Sequence, residues 1–263
     1  MITATLILSP FIRNIFRKVP IMPHSPVNYK NKLPLAALLL LSVLLLFSAG
    51  EWSQALFTST YPYSPPLTHI KTDEKIVAIT FDTEWSSSGI ERLLPVLADY
   101  QIKSTFFVTG DWAREHPIQL RSIAEAGHEI GNHSTRHRHM QSLSPQAVQE
   151  EILECSNTIR GITGIKPACF RPPYGEYGED VLRSAAQFSM RTVLWNLDSC
   201  DWKNLSPASI AEKVLAQCTP GSIVLFHSSA LNTPEALKII LPALQSQGYE
   251  IVTVSGLLAY RGS

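Results

Sequence analysis

The sequence predicts an α/β domain, a distorted (β/α) barrel of about seven parallel strands, preceded by one N-terminal transmembrane or signal helix. Three observations predict it. Short β-rich apolar runs alternate with helical patterns from about residue 75 to 258. The residues closing several of those runs are polar: Asp82, His133, Arg171, Asp198 and His227. Before the alternation begins, Leu33–Gly50 carries no charge at all.

That uncharged run is about as long as the shortest helix that crosses a bilayer. Lys30 and Lys32 stand just before it and Glu51 follows, so the positive-inside rule leaves residues 1–32 in the cytoplasm and sends the remainder outside. An uncleaved signal anchor over 33–50 and a cleaved signal peptide both fit, the latter because Ser53-Gln54-Ala55 is a small-x-small triplet. Met22 begins a segment of more usual export-signal form and is an alternative start. Residues 51–73, with Pro62, Pro65 and Pro66, read as an extended spacer. The domain proper is then 74–258, membrane-anchored or secreted.

Within it, Ile76–Phe81 is a buried strand and Ile90–Tyr100 a helix with apolar spacing at Leu93, Leu94 and Leu97. Ser104–Val108 is a strand, 117–126 a helix stopped by Gly127, and Glu129–Asn132 a strand. Ser144-Pro145 is an N-cap followed by proline at the first helical position, opening a helix to about Arg160, and Ser206-Pro207 repeats the signal for a helix to Gln217. Strands are expected at 168–171, 192–197, 222–226 and 249–252, and further helices at 179–187 and 234–245. An open doubly wound sheet is the alternative to a barrel. In barrels the strand C-terminal ends are where catalytic groups gather.

Composition narrows the function classes. Twenty-two Lys and Arg balance 22 Asp and Glu, so nothing suggests a nucleic-acid partner. Cys155, Cys169, Cys200 and Cys218 form no CxxC pair, which argues against a structural zinc site and leaves one or two disulfides or four free thiols open. His133 and His137 stand at i and i+4, a spacing that on a helical turn lets two imidazoles grip one metal ion. His116, His128 and His139 read as surface or structural residues.

Taken in order, Thr80-Phe81-Asp82, His133-Ser134-x-x-His137, Arg171-Pro172-Pro173-Tyr174, Asp198-x-x-Asp201-Trp202 and Leu225-Phe226-His227 resemble the motifs of the polysaccharide deacetylases with a NodB homology domain, carbohydrate esterase family four. The similarity covers roughly residues 74 to 258. FFVTG, GHEIGNHS and FRPPYG look closest to a sporulation-linked subgroup. The resemblance implies a metal-dependent hydrolase removing N-acetyl groups from an amino-sugar polymer of the cell envelope. It implies Asp82 as general base, oriented by Arg171, and His227 as general acid, oriented by Asp198. His133 and His137 would hold a divalent metal ion, zinc first, with cobalt or manganese as alternatives. The Tyr174 backbone N–H would stabilise the oxyanion, and Trp202 and Leu225 would wall the acetyl pocket.

One departure stands out. Most members of that family carry two adjacent acids in the first motif, the second a metal ligand, whereas this chain reads Asp82-Thr83-Glu84. A neutral hydroxyl is a poor zinc ligand. Glu84 can replace the lost carboxylate only if the strand ends before it, because successive strand residues point to opposite faces. The alternative outcome is a catalytically impaired glycan binder of the same fold.

Overall fold

The computed structural model describes residues 63–260, so the expectations for 1–32, the helix at 33–50 and most of the spacer lie outside the described residues. Among the described residues no helix is long and apolar enough to cross a membrane.

The first strand organises everything else. β1 (Ile76–Thr83) is buried along its whole length. β2 (Thr105–Val108) and β7 (Ser222–His227) flank it in parallel, and β3 (Glu129–Asn132), β4 (Cys169–Phe170), β5 (Arg191–Thr192) and β6 (Leu197–Asp198) extend the sheet in the order β5-β4-β3-β2-β1-β7-β6. β8 (Glu250–Val252) pairs with Ile76–Ala78 of β1. Because β7 takes the other edge over Val77–Asp82, β8 shares the β2 edge, below the pairing of β2 with Thr80–Thr83. The curled parallel sheet is a half-barrel, as the distorted barrel requires.

The strand count differs from expectation because the run expected at 192–197 is two strands. Residues 193–196 leave β5, cross the open side of the sheet and enter β6, the opposite edge. The chain before β1 fills that crossing: the Leu67 N–H donates to the Thr192 carbonyl at 2.9 Å, the Leu194 N–H to the Leu67 carbonyl at 2.7 Å, and the Ile70 N–H to the Gly221 carbonyl at 3.0 Å. Leu67 and Ile70 are buried, so the end of the expected spacer packs into the domain's core.

Helices cover the outer face: α1 (Ser88–Asp99), α2 (Gly110–Glu115), α3 (Pro117–Glu125), α4 (Pro145–Thr163), α5 (Glu179–Gln187), α6 (Pro207–Gln217), α7 (Thr233–Ser246) and α8 (Val254–Ala259). The short α2 and α8 were not expected. Both are local products of a threonine cap: Thr109 Oγ1 accepts the Trp112 N–H and Thr253 Oγ1 the Gly256 N–H. Ser144 and Ser206 cap α4 and α6 as anticipated, accepting from Ala147 and Ser209. α4 continues past Arg160 to Thr163 and stops at Gly164, whose φ of 77° is the left-handed turn a helix end favours. Val77, Ile79 and Phe81 of β1 face the helices and Ala78 the barrel interior, which places Asp82 on the interior side at the strand's end. All four cysteines are free thiols.

Candidate active site

Asp82 and His227 close neighbouring strands at the same level, being register partners of β1 and β7. Both line a cavity of about 790 Å³ with Glu84, His137, Tyr174, Asp198, Asp201, Trp202 and Leu225. The strand ends collect the predicted polar groups on one rim, and each has a distinct setting.

Asp82 is almost fully buried, and Arg171, itself completely buried, donates from Nη1 to Asp82 Oδ1 at 2.7 Å. The other guanidinium nitrogen, Nη2, donates to the Leu194 carbonyl at 3.0 Å, and the guanidinium lies 4.1 Å from the Phe107 ring centroid. Gly131 makes this stack possible: a Cβ there would sit 2.4 Å from the Phe107 ring. Burial alone would raise the Asp82 pKa; the charges of Arg171 and His227 and the Arg171 hydrogen bond overcome it and hold the carboxyl below its ordinary value.

His227 is paired with Asp201, and the expectation that Asp198 orients it is corrected. Asp201 Oδ1 lies 2.8 Å from His227 Nδ1, while Asp201 Oδ2 accepts the His227 backbone N–H at 2.8 Å and the Thr233 hydroxyl at 2.6 Å. Asp198 is turned to local duty, accepting the Cys200 N–H at 2.7 Å and the Trp202 indole N–H at 3.4 Å. The physical reason is Cys200, whose φ of 58° reverses the chain between the two aspartates and swings Asp201 inward. Burial alone would lower the His227 pKa; the Asp201 hydrogen bond and the charges of Asp201, Asp82 and Glu84 lift it to about 9.

His133 and His137 come together, ring centroids 5.0 Å apart, by a different route from the one expected. No helical turn joins them. Ser134 and His137 adopt left-handed φ of 66° and 52°, folding a loop back on itself. His133 Nδ1 lies 2.7 Å from the Arg171 carbonyl, which can only accept, so the proton sits on Nδ1 and the Nε2 lone pair is free. That lone pair is buried without a partner, 3.5 Å from Asp82 Oδ2. His137 Nδ1 is likewise buried and unpartnered. Burial pushes both imidazoles down, His137 to about 4 with help from the neighbouring His133, so both are neutral at pH 7.

Two neutral imidazoles with orphaned nitrogens, one anchored through its other nitrogen to a backbone carbonyl, fit a divalent metal ion. Among the described residues no third His, Cys, Asp or Glu joins them in a ready-made metal group. β1 ends at Thr83, which frees Glu84 from strand alternation, and Glu84 lines the cavity. Glu84 Oε2 is buried without a partner, as is the Thr83 hydroxyl. Burial and the charge of Asp82 raise the Glu84 pKa to about 7.

Tyr174 takes a left-handed φ of 58° in the Pro173–Gly175 turn; its ring packs edge-on to His137 at 4.6 Å and flat on His139 at 4.1 Å. His139, expected to be a bystander, therefore touches the site's wall, and its Nδ1 lies 3.0 Å from Glu176 Oε1. Leu225 is buried in the cavity floor, whereas Trp202 on the rim is 57% exposed. Trp85, unmarked by sequence reasoning, is 68% exposed on the same rim beside His137. Only its position directly after Asp82-Thr83-Glu84 could have signalled it.

A curled parallel sheet whose strand ends gather a buried Asp–Arg pair, an Asp–His pair and two neutral histidines around a cavity defines a hydrolase-type site. The chain belongs to the polysaccharide deacetylase family: the sequence model described as "Polysaccharide deacetylase" matches residues 69–193, and a peptidoglycan-N-acetylglucosamine deacetylase of Bacillus cereus is 34% identical over 197 residues, 73% of this chain and 92% of that one. The Bacillus subtilis protein YlxY is 33% identical over 71% of this chain, and the match spans 58% of its own length. Among solved structures, wild-type BA3943 of Bacillus anthracis, described as a CE4 family pseudoenzyme, superposes with a TM-score of 0.72 at 31% identity over 74% of this chain and 69% of that one. A BA3943 mutant described as having restored enzymatic activity matches equally well, with a TM-score of 0.72.

Proposed function

We propose that the domain hydrolyses the N-acetyl amide of an amino-sugar polymer of the cell envelope, peptidoglycan or a chitin-like glycan, releasing acetate and a free amine. The observation that carries the reading is the side-by-side placement of Asp82 and His227 at one cavity, each with a partner that fixes its protonation state. Asp82, held ionised by Arg171, takes a proton from the attacking water. His227, held protonated by Asp201, delivers one to the departing amine. The Tyr174 backbone N–H faces the charge that develops on the acetyl oxygen. Leu225 and Trp202 enclose the acetyl methyl, and Asp198 fixes the Trp202 indole. A divalent metal ion, zinc first with cobalt or manganese as alternatives, held by His133 and His137 with Glu84 as an additional donor, would polarise the acetyl carbonyl and acidify water.

Thr83 supports a second reading. With a hydroxyl where the family carries a carboxylate, and with a similar protein described as a pseudoenzyme, the groove would bind glycan without turnover. Acetate release by the purified domain on N-acetylated glycan, with and without added zinc, cobalt or manganese, separates the two. Asp82→Asn and His227→Ala should each lower turnover by on the order of a hundredfold or more; folded variants that release acetate at the wild-type rate would overturn the mechanism. Such a polymer lies outside the cytoplasm, which suits an N-terminal anchor or signal over 33–50. A reporter active only in the cytoplasm, fused after Ser263, should be silent, and strong signal would reverse that orientation.

A further inference from the structure

Glu151 of α4 has no part in the chemistry above, yet it is 1% exposed. Its Oε2 accepts two consecutive backbone N–H groups, Thr135 at 2.9 Å and Arg136 at 2.8 Å. Its Oε1 receives the Arg136 guanidinium at 2.9 Å. The Thr135 hydroxyl returns a bond to the Glu151 carbonyl at 2.8 Å. Thr135 and Arg136 lie between His133 and His137 in a loop that spends two left-handed residues to turn.

The rest of the loop is pinned to the same helix. Asn132 donates to the Ile152 carbonyl at 2.7 Å and accepts the Ser134 N–H at 2.8 Å. The loop's carbonyls at Ser134 and Thr135 take the N–H groups of Gly110 and Asp111 at the start of α2. Every anchor of the turn is thus spoken for except the two imidazole nitrogens it presents. A buried carboxylate is costly unless ionic and backbone donors meet it, and here it meets both.

We infer that Glu151 is a positioning residue for the histidine pair: its carboxylate clasps the Thr135–Arg136 backbone and so sets the spacing and ring orientation of His133 and His137. The inference rests on reading those histidines as metal donors, but its consequence for their rings does not need the metal. Outer partners that orient metal-binding histidines typically contribute ten- to a hundredfold in affinity.

The test uses the full chain labelled with ¹⁵N-histidine and metal-free, followed by calorimetric titration with zinc. In Glu151→Ala the imidazole signals of His133 and His137 should shift while those of His128 and His227 stay in place, and zinc affinity should fall by about ten- to a hundredfold. Glu151→Gln keeps an oxygen for both N–H groups, and Arg136 already donates from Nη2 to Glu154 at 2.8 Å, so both readouts should return toward wild type. Wild-type ring signals in Glu151→Ala would overturn the inference. So would equal movement of all four histidines in Glu151→Ala and Glu151→Gln, which marks a general loss of packing. If wild type takes up no zinc, the metal reading fails while the ring signals still decide the role of Glu151. If Glu151→Ala does not fold, Glu151→Asp, one methylene too short to reach both N–H groups, is read the same way, and unshifted rings there overturn it equally.

Discussion

Asp201 holds His227 by two bonds at once, one to the imidazole Nδ1 and one to the backbone N–H, both at 2.8 Å. This double grip fixes the ring's rotation and keeps a carboxylate against it. In the proposed mechanism, Asp201 is the residue on which the acid's working range depends.

Asp201→Asn should therefore shift the alkaline limb of the pH–rate curve to lower pH, because the His227 pKa of about 9 falls back toward its ordinary value near 6.5. Stability moves with the same sign. A folded-state pKa raised above the unfolded one contributes stability that is fully present below about pH 6.5 and is lost as pH rises through about 9. Denaturant midpoints for wild type and Asp201→Asn should differ most at acidic to neutral pH and converge above pH 9. Asp198→Asn should leave the alkaline limb in place, since its carboxylate serves Cys200 and Trp202 instead.

Metal affinity offers a second check. His133→Ala should abolish calorimetric zinc binding, because it removes the lone pair facing Asp82 Oδ2. Thr83→Asp should tighten binding by adding an anionic oxygen donor to a two-histidine set. Unchanged affinity in His133→Ala would remove the metal site from this loop.

Trp85 exposes an indole on the cavity rim beside His137, a surface suited to a sugar ring. Trp85→Ala should raise KM for a glycan oligomer, by up to about tenfold if one aromatic stack is lost, while kcat changes little. A fall in kcat at constant KM would place Trp85 in the chemistry instead.

Leu67→Ala tests where the domain begins. Leu67 is 4% exposed and its backbone bridges β5 toward β6, so truncation to alanine should cost about 2–5 kcal/mol in chemical denaturation. A stability equal to wild type would return residues before 74 to the role of free spacer.

Much of the site was legible because it sits where apolar runs end. Asp82 and His227 lie at the ends of buried strands and Arg171 directly follows one. What escaped was decided by backbone turns that composition does not announce. Asp198 and Asp201 are equally good partners for His227 on paper; the left-handed Cys200 chooses between them. The i, i+4 histidines suggested a helical turn, yet their loop is built by left-handed Ser134 and His137 and by a glutamate sixteen residues further along. The expected strand at 192–197 is apolar enough to be one strand, and breaks only because the barrel's two edges must be bridged there. Glu151 reads as an ordinary helix residue until the loop above it is seen.

β1 bonds to β2 and β8 along one edge and to β7 along the other, so the domain's first strand finds partners drawn from its last residues. A chain that emerges N-terminus first, from a ribosome or a translocation pore, can offer β1 only β2 until Ser222–His227 and Glu250–Val252 have followed. Contacts so distant in sequence close late and slowly. The central strand therefore stays without its β7 and β8 partners until those residues have emerged, and Asp82 meets His227 only then.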